Sequence, residues 1–101
     1  AAADDLDAQV RWRAARAPIL ARARQSESAL LLINEAIDLA RTTGRPILLA
    51  DTLFDRAMVQ QLAGKVDDAK ASVIEARAVY RSKGDEVSIL RLDRWADGKL
   101  N

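Results

Sequence analysis

AMVQQLAGKVDDAKASVIEARAVYRSKG, residues 57–84, is the stretch whose reading decides the fold. Gly64 and Gly84 stand twenty residues apart in it, and Gly44 lies a further twenty residues upstream. Between the two glycines, Ala69, Val73, Ala76, Val79 and Tyr80 recur at the spacing of one face of an α-helix. A glycine just past such a stripe supplies the left-handed residue that ends a helix. The stretch therefore reads as the end of one helix, a turn at Gly64, a second helix, and a stop at Gly84.

The same pattern occurs earlier in the chain. At an offset of forty, Ala17 meets Ala57, Ala29 meets Ala69 and Ala36 meets Ala76. Ile33 meets Val73, Leu39 meets Val79, Glu35 meets Glu75, and Gly44 meets Gly84. The agreement of Ile/Val, Glu and Gly in the register of the alanines argues for a repeat. Within each copy the three alanines are spaced by twelve and then seven residues. Small residues at such places let two antiparallel helices approach closely.

Working outward, a first helix is expected to start at Asp4 or Asp5, whose carboxylates can cap free amides. Its apolar stripe is Leu6, Val10, Ala14, Ala17 and Ala21. Pro18 removes one backbone donor and predicts a kink near Ala14–Ala17, and the helix is expected to end around Arg24. Ser26 is the expected cap of a second helix running to about Thr42, with Ala29, Leu32, Ile33, Ala36, Ile37 and Ala40 on one side. Leu30, Leu31 and Leu39 widen that apolar surface, which predicts cover from two directions. Pro46 suits the first turn of a third helix, where its missing N–H costs nothing. That helix is expected to turn Ile47, Ala50, Phe54, Ala57, Met58 and Leu62 inward or toward a groove. Asp67 is the expected cap of the fourth helix and Asp85 of a fifth, which carries Ile89, Leu92, Trp95, Ala96 and Leu100 and has Gly98 as its stop. The class is all-α: antiparallel hairpins over about 5–43 and 46–83, plus a C-terminal capping helix over about 86–98.

Composition agrees with that class. Half of the 101 residues are apolar, yet the aromatics are two Trp, one Tyr and one Phe. A core of this size must then be built from Ala, Leu, Ile and Val. The formal net charge is +1, which sets no preference for anionic or cationic partners. Arg11, Arg13, Arg16, Arg22 and Arg24 form a local basic run, which helical angles divide between two sides of the axis. A solvated helix surface explains it, and a nucleic-acid-binding role would call for a more basic domain. Histidine and cysteine are absent, which excludes an imidazole base, His-ligated metal, disulfides and a thiolate nucleophile. The longest apolar run, Ala29–Ile33, is far short of the ~20 residues of a membrane span. Ala1 is not an initiating residue, which points to a processed terminus or a piece of a longer chain. A cytoplasmic setting is the expectation.

The spacing of Ala17, Ala29 and Ala36, repeated at Ala57, Ala69 and Ala76 with Gly64 in the turn between paired helices, resembles the tetratricopeptide repeat. The resemblance covers roughly residues 8–84. It implies hairpins stacked in a right-handed α-α superhelix, with the first helix of each pair lining a concave groove. The family period is ~34 residues, whereas this chain repeats at forty. Arg56 and Gln60 stand where the family prefers bulky apolar residues, Arg41 and Arg81 replace a repeat-ending proline, and Arg24-Gln25 lacks the turn glycine. More loosely, Val10–Ala23, Gln61–Gly64 and Ala76–Gly84 are similar to C-terminal helical regions of bacterial multidomain regulators linked to nucleotide cyclases or ATPases.

The resemblance places Arg11, Ala14, Pro18 and Ala21 of the first hairpin, and Asp51, Phe54, Met58 and Gln61 of the second, along the groove. The family clamp for a terminal carboxylate needs Lys, Asn and Arg there, and only Arg11 qualifies. Phe54 and Met58 suit an apolar side chain, and Arg11 or Arg22 an acidic one. The same residues could instead pack on a neighbouring repeat, domain or copy. Trp12 and Trp95 are candidate binding hot spots, but large aromatics mostly supply buried area, so both are expected between helices. Asp51/Asp55 and Asp93/Asp97 each set two carboxylates one turn apart. Without Ser, His or Cys partners they read as solvated charge rather than as an acid–base pair or a metal site.

The functional expectation is a noncatalytic, cofactor-free module binding a protein or peptide through Arg11, Arg22, Asp51, Phe54, Met58 and Gln61. The alternatives are a spacer or dimerisation segment of a larger regulator and, less favoured, a nucleic-acid-binding helical repeat. Two and a half hairpins fall short of the ~3 repeats that arrays usually need, which predicts self-association or excision from a longer array. Trp12, the Leu30–Leu32 run and the first hairpin's outer face are where unburied surface is expected.

Overall fold

The computed structural model describes residues 5–101. Among these residues five helices follow one another: α1 (Leu6–Arg22), α2 (Ser26–Thr42), α3 (Pro46–Leu62), α4 (Val66–Ser82) and α5 (Glu86–Lys99). Each begins twenty residues after the last, so the glycine interval is the period of the single helix and the alanine interval that of the pair. α1 packs on α2 and α3 on α4. Both helices of the first pair also pack on α3, and α5 packs on α4. The molecule is a slab of 44 × 35 × 16 Å, two helices thick.

The small residues explain the pairing. Ala17, Ala29, Ala36, Ala57, Ala69 and Ala76 are all fully buried, at the two sets of crossing points. One core cluster joins Ala14, Ala17 and Ala21 to Ala29, Ile33 and Ala36, with Val59 of α3 closing it. A second joins Ala50, Leu53 and Ala57 to Ala69, Val73, Ala76 and Tyr80, and then to Ile89, Leu92 and Leu100. Each fully buried Leu or Ile contributes about 1.5–3 kcal/mol. α5 thus covers the second hairpin, as its stripe predicts. α2 meets both α1 and α3, although Leu31 stays largely exposed.

The turns carry the helix stops. Gly44, Gly64 and Gly84 have φ of 68°, 78° and 68°, as expected of left-handed residues. At Gly64 the Lys65 amide donates to the Gln60 carbonyl and the Gly64 amide to that of Gln61, a Schellman closure. The turn without a glycine closes identically: Gln25 donates to Leu20 and Arg24 to Ala21, with Arg24 at φ 63°.

The sequence expectations need several local corrections. Asp5 caps α1 by accepting from the Ala8 amide at 3.2 Å, while the alternative cap, Asp4, lies outside the described residues. α1 ends at Arg22, because the Schellman closure takes up Ala23 to Gln25. The same closure makes Ser26 the first helical residue of α2, with Gln25 in the cap position. Asp67 is not a cap either: α4 starts at Val66, and Asp67 and Asp68 fall in its first turn, where the helix dipole favours them. Asp85 does cap α5, accepting from the Ser88 amide and hydroxyl at 3.1 and 2.7 Å. α5 runs through Gly98 to Lys99, since glycine with an ordinary φ only weakens a helix. α1 continues through Pro18. Ile47 and Leu62 remain exposed, whereas Leu48, Thr52, Leu53 and Val59 are buried, because α3 is covered by three helices rather than one.

Among the described residues no helix is long and apolar enough to cross a membrane.

Candidate functional site

α1 and α3 lie side by side as the leading helices of the two hairpins, and the cleft between them has a volume of about 330 Å³. Residues 11, 14, 15, 18 and 22 of α1 share one helical side by their spacing and form one wall. α3 supplies the other wall through Leu48, Asp51, Thr52, Asp55 and Met58. Arg11, Arg22, Asp51 and Met58 thus line one cleft. Phe54 lies in an adjoining cleft of about 210 Å³ with Asp51, Asp55, Met58, Tyr80 and Arg91, so α5 extends the groove. Gln61 lines neither cleft. It lies in the last turn of α3, where its carbonyl accepts the Gly64 amide. Ala21 also leaves the groove: it is buried between α1 and α2, one helical step round from Arg22.

The charge distribution differs from that expected of a pair of solvated aspartates. Tyr80, fully buried on α4, passes its hydroxyl to Asp51 Oδ1 at 2.6 Å. Burial, and next this hydrogen bond, push the Tyr80 hydroxyl well above its usual range. Asp55 is half-buried one turn along α3. Burial, and then the charge of Asp51, raise its carboxyl from 3.8 to about 7. The groove floor is thus an anchored carboxylate beside a carboxyl that holds a proton up to neutral pH. Arginines stand on both sides of it, Arg11 and Arg22 on α1 and Arg91 on α5.

Tyr80 and Arg91 are the groove residues that sequence reasoning missed. Tyr80 lies 29 residues from Asp51 and reads as ordinary core, so no local spacing marks it. In the other aspartate pair Asp93 serves structure, accepting from Arg77 Nε at 2.8 Å and tying α5 to α4, whereas Asp97 is exposed. Among the described residues no group of three acidic, His or Cys side chains could hold a metal ion.

The two tryptophans diverge. Trp95 packs between helices as expected, its ring 5.7 Å from that of Phe54 at an angle of 58°. Trp12 does not: it is 47 % exposed on the outer side of α1. Its ring is nevertheless held, with the Arg13 guanidinium 4.4 Å from its centroid and Gln9 accepting its indole N–H at 3.2 Å. The basic run of α1 is dispersed accordingly, Arg11 and Arg22 to the groove, Arg13 to Trp12, and Arg16 to the outer face.

Comparison of the chain with family models, with curated proteins and with solved structures gives no match.

Proposed function

We propose that this chain is a noncatalytic interaction module of the tetratricopeptide kind, its hairpins winding as a right-handed superhelix. In this reading the groove along α1, α3 and α5 takes a peptide segment of a partner protein. The observation that carries it is the convergence of Arg11, Arg22, Asp51 and Met58 on one cleft from two helices. A groove with an apolar stretch at Ala14 and Pro18 in one wall, and separated charges of both signs, suits an extended segment. That segment would present an acidic group to Arg11 or Arg22, an apolar side chain to Met58, and a donor to Asp51. A cytoplasmic setting within a multidomain bacterial regulator goes with this reading.

The test is binding of a fluorescent peptide array of mixed acidic and apolar composition. Phe54→Ala is a poor probe, because Phe54 also supports Trp95. Arg11→Glu, Arg22→Glu and Met58→Ala leave the core clusters intact. Each is expected to weaken the selected peptide at least about tenfold, or 1.4 kcal/mol, with an unchanged helical circular dichroism spectrum. Peptide binding indifferent to all three removes the groove assignment.

A further inference from the structure

Positions forty apart are equivalent in this array, and one set of them is covered in the second hairpin but open in the first. Thr52 and Val59 of α3 are buried where the first hairpin packs against them, Val59 in one cluster with Ile33 and Ala36. Their equivalents on α1 are Trp12 and Ile19, which are 47 % and 63 % exposed. α2 adds Leu31, 67 % exposed, and Leu32 to the same outer side, and a cleft of about 260 Å³ runs between Trp12 and these leucines. A contiguous apolar face of this kind on a helical array marks a surface that another molecule or segment can cover. On the second hairpin this face joins Val59 to the polar Thr52, Arg56, Ser72 and Glu75, so the repeat does not require large apolar residues at the places of Trp12 and Leu32.

Charge identifies the occupant. In the second hairpin Arg56 and Glu75 pair with each other at 3.5 Å and both also reach α2, Arg56 donating to Asn34 and Glu75 pairing with Arg41 at 2.7 Å, so this register is used where one hairpin meets the next. The equivalents of Arg56 and Glu75 are Arg16 and Glu35. They line the Trp12 cleft from opposite helices, the base on α1 and the acid on α2. A face with an apolar centre and one charge of each sign on opposite rims is self-complementary under a two-fold axis.

We propose that this face is a two-fold interface with a second copy of the chain. Leu31 and Trp12 of each copy meet at its centre, and Arg16 of each copy faces Glu35 of the other. The fixed Trp12 ring suits an anchor that has little side-chain freedom left to lose. The interface lies outside the peptide groove, so its failure and that of the groove reading are separate.

The test is the mass of the 101-residue chain by light scattering and sedimentation from about 1 μM to about 0.1 mM. The expected result is a shift from 11.1 kDa to twice that mass, with no larger species. Leu31→Glu is expected to keep the protein monomeric with unchanged circular dichroism. Arg16→Glu and Glu35→Arg are each expected to weaken the dimer at least about tenfold, and the double reversal to restore it. In a Trp95→Phe background, Trp12 emission is expected to shift to the blue as the dimer forms. A monomer across the range, mass growing without limit, a dimer indifferent to Leu31→Glu, or no restoration by the double reversal each overturns the proposal.

Discussion

Arg24 and Gly64 occupy the same place in the turns of the two hairpins, and both have left-handed backbone, φ 63° and 78°. The hydrogen bonds around them match, so the geometry of the turn is kept where the glycine is not. A side chain in this region costs roughly 1–2 kcal/mol. Arg24→Gly is therefore expected to stabilise the protein by about 0.5–1 kcal/mol, part of the gain being lost to the freer unfolded chain. Gly64→Ala should destabilise it by about 1 kcal/mol through backbone strain alone, since no atom lies within 4 Å of the added Cβ. Urea unfolding followed by circular dichroism checks both.

The small-residue contacts make a second prediction. Ala57 is fully buried at the α3–α4 crossing, whereas Ala71 on α4 is exposed. Ala57→Leu forces the helices apart and is expected to cost about 1–3 kcal/mol or more. Ala71→Leu is expected to change stability by less than about 0.5 kcal/mol. Thermal melts of the two variants decide whether close approach or mere apolarity matters at these positions.

Tyr80→Phe retains the ring in the core and removes only the bond to Asp51. The carboxylate is exposed and can turn to water, so the expected loss is about 1 kcal/mol, not the cost of a stranded buried charge. The measurement is the unfolding free energy, with Asp51→Asn as the companion that keeps an acceptor for the hydroxyl.

Asp55 sets a pH dependence of definite sign. Its carboxyl is raised from 3.8 to about 7, so between those values the folded state holds the proton more tightly than the unfolded chain. Stability then falls as pH rises from about 4 to 7 and levels off above. Water reaches part of this group, so the change is expected to be roughly 1–2 kcal/mol, well below the ~4 kcal/mol that the full shift would give at 1.36 kcal/mol per unit. Asp55→Asn should flatten this segment of the stability–pH curve and raise stability at pH 8. Unfolding measured from pH 4 to 8 in both proteins provides the check.

How far the groove is legible in the sequence differs residue by residue. Arg11 and Arg22 share a side of α1 through helical spacing, and Asp51 and Met58 follow from their places on α3. Gln61 continues the same spacing but runs out of groove, because α3 turns away at Gly64. Asp51 and Asp55 are visible as a pair one turn apart. Their different surroundings are not, since Asp51 meets Tyr80 from another helix while burial, and then the charge of Asp51, act on Asp55.

The sequence by itself determined the five helices, their pairing and the points of closest contact. Those features depend on interactions within a few residues: a left-handed turn, a proline at a first turn, and alanines recurring on one face. Even the irregular turn at Arg24 keeps to the period, because the backbone closure rather than the glycine defines it. Only the tertiary structure decided which apolar side chains are covered. Trp12 and Trp95 look alike in sequence, yet α4 and Phe54 flank one, while no described helix covers the outer face that carries the other. Burial depends on neighbours from distant parts of the chain, and among the described helices none supplies such a neighbour at the outer face of α1.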